Sequence, residues 1–458
     1  MSHNVLHLPD TGWKNKLYEL MKAPDRNSFS IRASDNRFFV DKQSFIQQLE
    51  QYIQALSDLE RVMVVAENSD QWIILALACL ISGKELFALD AKMATDEVVK
   101  LAQNVMPDCI ITNKSLDSKY GMILSFNDLK NRISTGNPRQ VESKLVLFTT
   151  GTTGTPKGVE MSLVNIMTGT ESFQRRFQVR PEEMTLIHAP LSHTMGFMVM
   201  MVNICYGSGA IMALNEGQIL HSILHEQIDW MVIPPVLANI LKGRQEFMDK
   251  LKCCRAIFSS GAGLSRDTYS YFEANGVRLI NGYGMTESVT VMAVTAPGQR
   301  PWETKPLDWC EIKISEQNEI LARGPVFAQR YYGGGSILDD EGWYHTGDMG
   351  SYENGCLIVT NRMDNVCVLE NGFKINLEDL ENRISALDEV EDCRVYAKKA
   401  EKFSKLGVEL VMAAGYKNMP LDQLKDKVQN VIYYYERINE YIMSEKLQTK
   451  GGKKVRHE

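Results

Sequence analysis

The chain has 458 residues, of which 23% are charged and 44% hydrophobic, and it carries a net charge of −7. That is ordinary for a globular chain of roughly two or three domains, and it excludes the basic footprint of a nucleic-acid binder. Its nine cysteines form an odd set with no CxxC pair, which fits a reduced, cytoplasmic compartment better than a disulfide framework. Met1-Ser2-His3-Asn4 does not begin a basic-then-apolar leader. The longest apolar stretch, Trp72 to Ile81, falls short of the ~20 residues a membrane helix needs, so no transmembrane segment is expected.

In chain order, a short strand from Asn36 leads to a helix from Lys42 to Leu56. Strands follow at Arg61–Val65, Glu85–Leu89 and Cys109–Ile111, with an apolar helix from Asp70 to Ile81 between the first two. Leu145 to Phe148 is the next buried strand. The alternation resumes with a strand at 186–189, a helix from Thr194 to Tyr206, a strand at 210–214 and a helix at 218–227. It continues with a strand at Trp230–Ile233, a helix from Val236 to Gly243, a strand from Arg255 to Phe258, a helix capped by Ser265, and a strand at Arg278–Ile280. Strands alternating with helices predict mostly parallel sheets with helices on their faces. In such sheets ligands bind beyond the carboxyl ends of the strands.

After residue 300 the texture changes to short antiparallel strands and Gly-rich turns. From about Asn361 the remainder reads as a small α+β domain with helices at Leu377–Leu387 and from Leu421. The expected fold is therefore a large N-terminal α/β domain with a β-rich subdomain, residues 1–362, and a small α+β C-terminal domain, residues 363–458.

The stretch with the most chemistry is Thr149-Thr150-Gly151-Thr152-Thr153-Gly154-Thr155-Pro156-Lys157-Gly158, just after the strand ending at Phe148. Gly lets backbone N–H groups approach a ligand closely, Thr adds hydroxyl donors, and Lys157 adds a point positive charge. That inventory suits a polyphosphate. It is not a Walker A loop, which needs Gly-Lys-Ser/Thr opening a helix. The string closely resembles the phosphate loop of the adenylate-forming superfamily, which includes the AMP-forming acyl- and aryl-CoA synthetases, the luciferases and the adenylation domains of peptide synthetases.

Further stretches carry the same resemblance. Asn281-Gly282-Tyr283-Gly284-Met285-Thr286-Glu287-Ser288 is similar to the second nucleotide motif, which implies Tyr283 against adenine, Thr286 at the α-phosphate and Glu287 on Mg2+. Gly261-Ala262-Gly263 resembles the segment bordering adenine, although the family usually has Pro where Gly263 stands. Asp348, in Trp343-Tyr344-His345-Thr346-Gly347-Asp348, would accept from both ribose hydroxyls, with Arg362 also reaching the ribose. Asp364 matches the pivot between domains. Gly372 opens a segment that lines the thiol tunnel of relatives. Lys453, in Thr449-Lys450-Gly451-Gly452-Lys453-Lys454, aligns with the catalytic Lys, and Lys454 is the other register. On composition alone this basic end would be a disordered tail.

Pro190-Leu191-Ser192-His193-Thr194-Met195-Gly196 resembles the acid-binding motif of acyl-CoA synthetases, with His193 near the carboxylate. Amino-acid-activating relatives carry an Asp here that this chain lacks. Met195 and Met198 follow at helical spacing, either as core or as an adaptable pocket wall. His221 and His225 have helical zinc spacing but no third ligand nearby in sequence.

The resemblance implies ATP-dependent activation of a carboxylic acid to an acyl-adenylate, then transfer to a thiol. It implies ATP and Mg2+, with coenzyme A as co-substrate or a carrier protein as the alternative acceptor. A non-catalytic nucleotide-binding protein is the reading of a different class.

Overall fold

The computed structural model describes residues 10–22, 29–134, 136–139, 141–149, 157–207, 209–260, 264, 266–295, 299–363, 366–368, 374–399, 404–432, 436, 438–447, 449–450 and 453–454. Its contacts form two compact units. One is Met1–Ile312 with Ala322–Tyr344 and Asn354–Leu357, and the other is Lys313–Leu321 with His345–Glu353 and Ile358–Glu458.

The first unit contains two sheets. In one, the strands run Met122–Leu124, Cys109–Thr112, Arg61–Val65, Glu85–Leu89, Lys144–Thr149 and Lys157–Ser162 from edge to edge. All neighbours pair in parallel except the last two, which are antiparallel. The central strands are apolar on both sides because helices cover both faces. In the other sheet, Ala256–Ser259, Trp230–Ile233, Met184–Ile187, Gly209–Met212 and Ser30–Ala33 are parallel neighbours. Leu279–Gly284 joins Ala256–Ser259 in parallel and Val291–Thr295 in antiparallel fashion.

The main core lies between these sheets. It runs from Val62, Leu86 and Leu147 of the first sheet to Ile31, Ile187 and Met212 of the second. The helix Asp70–Ser82 fills much of it. Every residue from Trp72 to Leu80 is buried, as its unbroken apolar sequence requires. Ser69 caps this helix at the Trp72 N–H, and Gly83 ends it at φ +74°, the left-handed conformation that glycine adopts freely. Separate apolar clusters cover the outer faces, around Val98 and Leu101 on the first sheet and around Leu237, Phe247 and Phe272 on the second.

Two departures from the sequence reading bear on the site. Residues 157–177, given no element above, form the edge strand Lys157–Ser162 and the helix Leu163–Phe177. The local signal was Ser162 with Asn165, which make a reciprocal capping box. The strand expected to stop at Ile280 continues to Gly284, because Val291–Thr295 supplies an antiparallel partner for its last residues.

In the second unit, Val390–Lys399, Ser404–Met412 and Ile438–Met443 form a three-stranded sheet. The helices Leu377–Ser385 and Leu421–Val431 pack on it around Leu380, Val408 and Leu424. This is the α+β composition expected of the C-terminal part. No helix among the described residues is long and apolar enough to cross a membrane.

Candidate active site

Lys157 is exposed and opens the edge strand, where it pairs with Thr149. The Thr149 hydroxyl donates to the Lys157 carbonyl at 3.4 Å. Gly158 cannot be larger, because a Cβ there would lie 2.7 Å from Val146 Cγ1. Thr150 to Thr155 lie outside the described residues, as do Gly261, Ala262, Gly263, Asp364 and Gly372.

The second motif sits where the strand Leu279–Gly284 reverses into Val291–Thr295. Asn281 donates its N–H to Thr295 Oγ1 at 2.9 Å. Gly284 follows a register shift, and a Cβ on it would meet the Thr290 carbonyl oxygen at 2.7 Å. Tyr283, Met285, Thr286 and Glu287 are all half-buried. The turn is knotted by Ser288, whose single hydroxyl hydrogen is shared between the carbonyls of Met285 at 2.9 Å and Thr290 at 2.6 Å. Val289 is fully buried at φ +58°. A β-branched residue avoids that region, at a cost of about 1–3 kcal/mol, so its burial in the core holds the strain in place right behind Thr286 and Glu287.

Tyr331, which the sequence reading missed, links these two regions. Its hydroxyl donates to Glu287 Oε1 at 2.9 Å, and Lys157 Nζ lies 5.5 Å from its ring centroid. Burial, with the neighbouring Glu287 carboxylate, pushes the Tyr331 phenol up to about 12. It therefore remains a hydrogen-bond donor at neutral pH. The segment bearing Tyr331 is fixed by its backbone. Ala328 N–H donates to the Glu287 carbonyl at 2.9 Å and Tyr332 N–H to the Gly158 carbonyl at 2.7 Å. Glu287 Oε2 accepts no hydrogen bond from the described residues. A carboxylate with one oxygen anchored this way is a suitable ligand for a hard cation such as Mg2+.

The loop carrying His193, the motif expected to bind the acid, is tied to residues just past strands of the first sheet. Asn68 is buried just beyond the strand Arg61–Val65 and clips the loop before His193. It donates to the Ala189 carbonyl at 2.8 Å and accepts from Leu191 N–H at 2.7 Å. His193 precedes the helix Thr194–Tyr206 as its N-cap, but its side chain does not cap it. Its Nε2 meets Asp90 Oδ2 at 3.1 Å. That hydrogen bond, working against burial and aided by the Lys92 N–H, holds the Asp90 carboxyl below the usual carboxylate range. Gly196 allows the helix to start here, since a Cβ would stand 2.2 Å from the Pro190 carbonyl oxygen. Neighbouring His188, half-buried just after the strand Met184–Ile187, has its Nε2 2.7 Å from the Val232 carbonyl, and desolvation pushes its pKa down.

Met198 is 5% exposed and packs in the main core, whereas Met195 is half-buried beside the cluster of Phe173, Trp230 and Phe258. The His221 and His225 rings stack with centroids 4.5 Å apart, and no group of three metal-binding side chains occurs among the described residues.

In the second unit Asp348 is 7% exposed, on the strand Tyr344–Glu353. The Arg362 guanidinium lies 3.4 Å from its Oδ1. Gly347 precedes it at φ +68°, and its N–H donates to Glu319 at 3.0 Å. A buried carboxylate with a cation beside it suits a vicinal diol. Lys453 lies on the short strand Lys453–Lys454, where it pairs with Lys450.

The residues missed from sequence had a weak signal. Asn68 and Asp90 are the polar residues just past two buried parallel strands, the place where ligands gather. Nothing local marks Tyr331.

The family model described as AMP-binding enzyme matches residues 49–332, more than half of the chain. A 2-succinylbenzoate–CoA ligase of Oceanobacillus iheyensis is 20% identical over 97% of this chain and 98% of its own length. A probable CoA ligase of Humulus lupulus is 23% identical over 74% of this chain and 68% of its own. Among solved structures, the o-succinylbenzoate CoA synthetase MenE of Bacillus subtilis, in complex with an acyl-adenylate intermediate, superposes with a TM-score of 0.83. It is 19% identical and covers 96% of this chain and 97% of its own. ATP-bound MatB of Rhodopseudomonas palustris gives 0.82 at 18% identity, with 96% of each chain covered.

Proposed function

The chain belongs to the AMP-binding enzyme family, and on that premise we propose that it is an AMP-forming acid–thiol ligase. It activates a carboxylic acid with ATP, releases pyrophosphate, and passes the acyl group to the thiol of coenzyme A. The observation that carries this reading is the Glu287–Tyr331–Lys157 cluster, in which the phenol that donates to the Glu287 carboxylate also carries the Lys157 ammonium 5.5 Å from its ring centroid.

In the first half-reaction a carboxylate oxygen of the acid attacks the α-phosphorus of ATP in line, and the bond to pyrophosphate breaks. Such a step needs positioning and charge stabilisation, with no protein nucleophile. The loop from Thr149 to Lys157 binds the phosphates. Thr286 contacts the α-phosphate, and Tyr283, with Gly261, Ala262 and Gly263, borders the base. Asp348 and Arg362 hold the ribose. His193 receives the acid. Glu287 would hold Mg2+, which when bound neutralises phosphate charge. Lys453 stabilises the leaving charge, and residues 363–458 act as a lid domain that turns about Asp364. The thiol of coenzyme A then enters beside Gly372 and attacks the acyl carbon, and AMP leaves.

Several relatives are named for 2-succinylbenzoate or 4-coumarate, which supports trying aryl acids first. The free thiols of the described cysteines support a cytoplasmic setting.

The test is a pyrophosphate-release screen with MgATP over aryl and short-, medium- and long-chain acids, each with and without coenzyme A. Acid-dependent release sustained only with coenzyme A is the expected result. Release that halts near one turnover with coenzyme A present would reassign the acceptor to a carrier protein. No release with any acid would overturn the enzymatic reading.

A further inference from the structure

Resting on the reading that His193 receives the acid, we propose that Asp90 is a positioning residue of the acid site. It holds the Nε2 edge of His193 and leaves Nδ1 as the ring nitrogen that meets the substrate carboxylate.

The contact itself is Nε2 to Oδ2 at 3.1 Å. An ionised carboxylate only accepts, so the proton between the two atoms belongs to Nε2. That assignment fixes the ring. Neutral His193 then presents a lone pair at Nδ1, and the imidazolium presents an N–H there. A substrate carboxylate also only accepts, so it pairs with the imidazolium, whose charge Asp90 balances from the opposite edge. Without Asp90 the ring can turn over or change tautomer, and the donor is no longer aimed.

An exposed ion pair is ordinarily worth little, because two mobile side chains must be ordered to make it. Here both ends are ordered beforehand. The second oxygen of Asp90 accepts from Lys92 N–H at 2.7 Å, and the Asp90 carbonyl accepts from Met93 N–H at 3.0 Å. On the other side, the His193 N–H donates to the Pro190 carbonyl at 3.0 Å, and Asn68 clips the same loop. Asp90 and Asn68 both lie just beyond strands of the first sheet, whereas His193 follows a strand of the second. The pair therefore joins the carboxyl edges of the two sheets where ligands gather. The His193 side chain remains 53% exposed, so a ligand can reach the ring.

The experiment is a double-mutant cycle in the full-length enzyme, read by pyrophosphate release with an acid identified in the screen. Asp90→Asn retains shape and removes the charge. It is expected to raise KM for the acid by about tenfold and leave KM for ATP within about twofold, the split expected when only acid contacts are lost. Placed in a His193→Ala background, it should add nothing further, because residues acting through one another are non-additive. In protein labelled with 15N in its imidazoles, with His193 assigned by His193→Gln, wild type should show the proton on Nε2 and Asp90→Asn a mixture. A purely structural role would not produce that signature. Asp90→Asn kinetics like wild type, equal rises in both KM values, or full additivity with His193→Ala would each overturn the proposal. Wild-type release that depends on no acid would instead remove the ligase reading beneath it, so the two failures are told apart.

Discussion

Tyr331 donates its phenolic hydrogen bond to the Glu287 carboxylate, and the same ring carries the Lys157 ammonium near its face. One side chain therefore aligns the candidate metal ligand with the candidate phosphate cation. Tyr331→Phe removes the hydroxyl and keeps the ring. It should raise the Mg2+ concentration needed for half-maximal activity and KM for ATP by roughly tenfold or more, from the ~1.5–3 kcal/mol of a hydrogen bond to a charged group. KM for the acid should not move. Tyr331→Leu, which also removes the cation–π contact, should cost more. Equal effects on acid and ATP would count against this alignment.

Gly196 stands where no side chain fits, 2.2 Å from the Pro190 carbonyl oxygen if a Cβ is added. Gly196→Ala must push the first turn of the helix Thr194–Tyr206 off the loop that carries His193. A displacement of about 1 Å at a reacting group costs on the order of a hundredfold in rate. Acid-dependent pyrophosphate release should fall by that order, while equilibrium binding of ATP, measured by calorimetry, should be nearly unchanged.

Lys453→Ala should abolish adenylate formation and leave thioester formation from supplied acyl-adenylate largely intact. Rapid-quench measurement of each half-reaction checks this. Equal loss of both would remove Lys453 from the first step. Lys454→Ala in parallel tests the alternative register.

Asp58 receives two hydrogen bonds from Arg132, at 2.6 and 2.8 Å, which pin the chain between the strands Cys109–Thr112 and Lys144–Thr149. Those bonds are the main reason its carboxyl titrates well below the usual range. A depressed folded-state pKa stabilises the protein above the ordinary carboxylate value of about 4, and the benefit fades as pH falls through the folded value. Asp58→Asn should thus be less stable than wild type by roughly 1–3 kcal/mol at pH 7. The gap should narrow steadily below pH ~4. Denaturant melts across that range decide it, and a gap independent of pH would be contrary.

The sequence was legible where information is local in the chain. The buried strand Arg61–Val65 and the all-apolar helix from Asp70 were readable because their periodicity and end signals lie within one segment. The motif strings that contain Lys157, Glu287, Asp348 and Arg362 are likewise local, each confined to one short stretch. The strand beginning at Leu279 was read four residues short, because its continuation depends on a partner at Val291–Thr295.

The sequence by itself determined the fold class and most of the strand–helix alternation, since each is written in neighbouring residues, although the strand and helix of residues 157–177 went unread. Only the tertiary structure decided which groups act on which. Tyr331 and Glu287 lie 44 residues apart, and Asp90 and His193 lie 103 apart. Pairings of that span are set by the packing of two sheets around a shared apolar core, and no window on the chain contains both partners. The same packing placed Met198 in the core, because burial depends on what covers a helix face as well as on the apolar stripe along it.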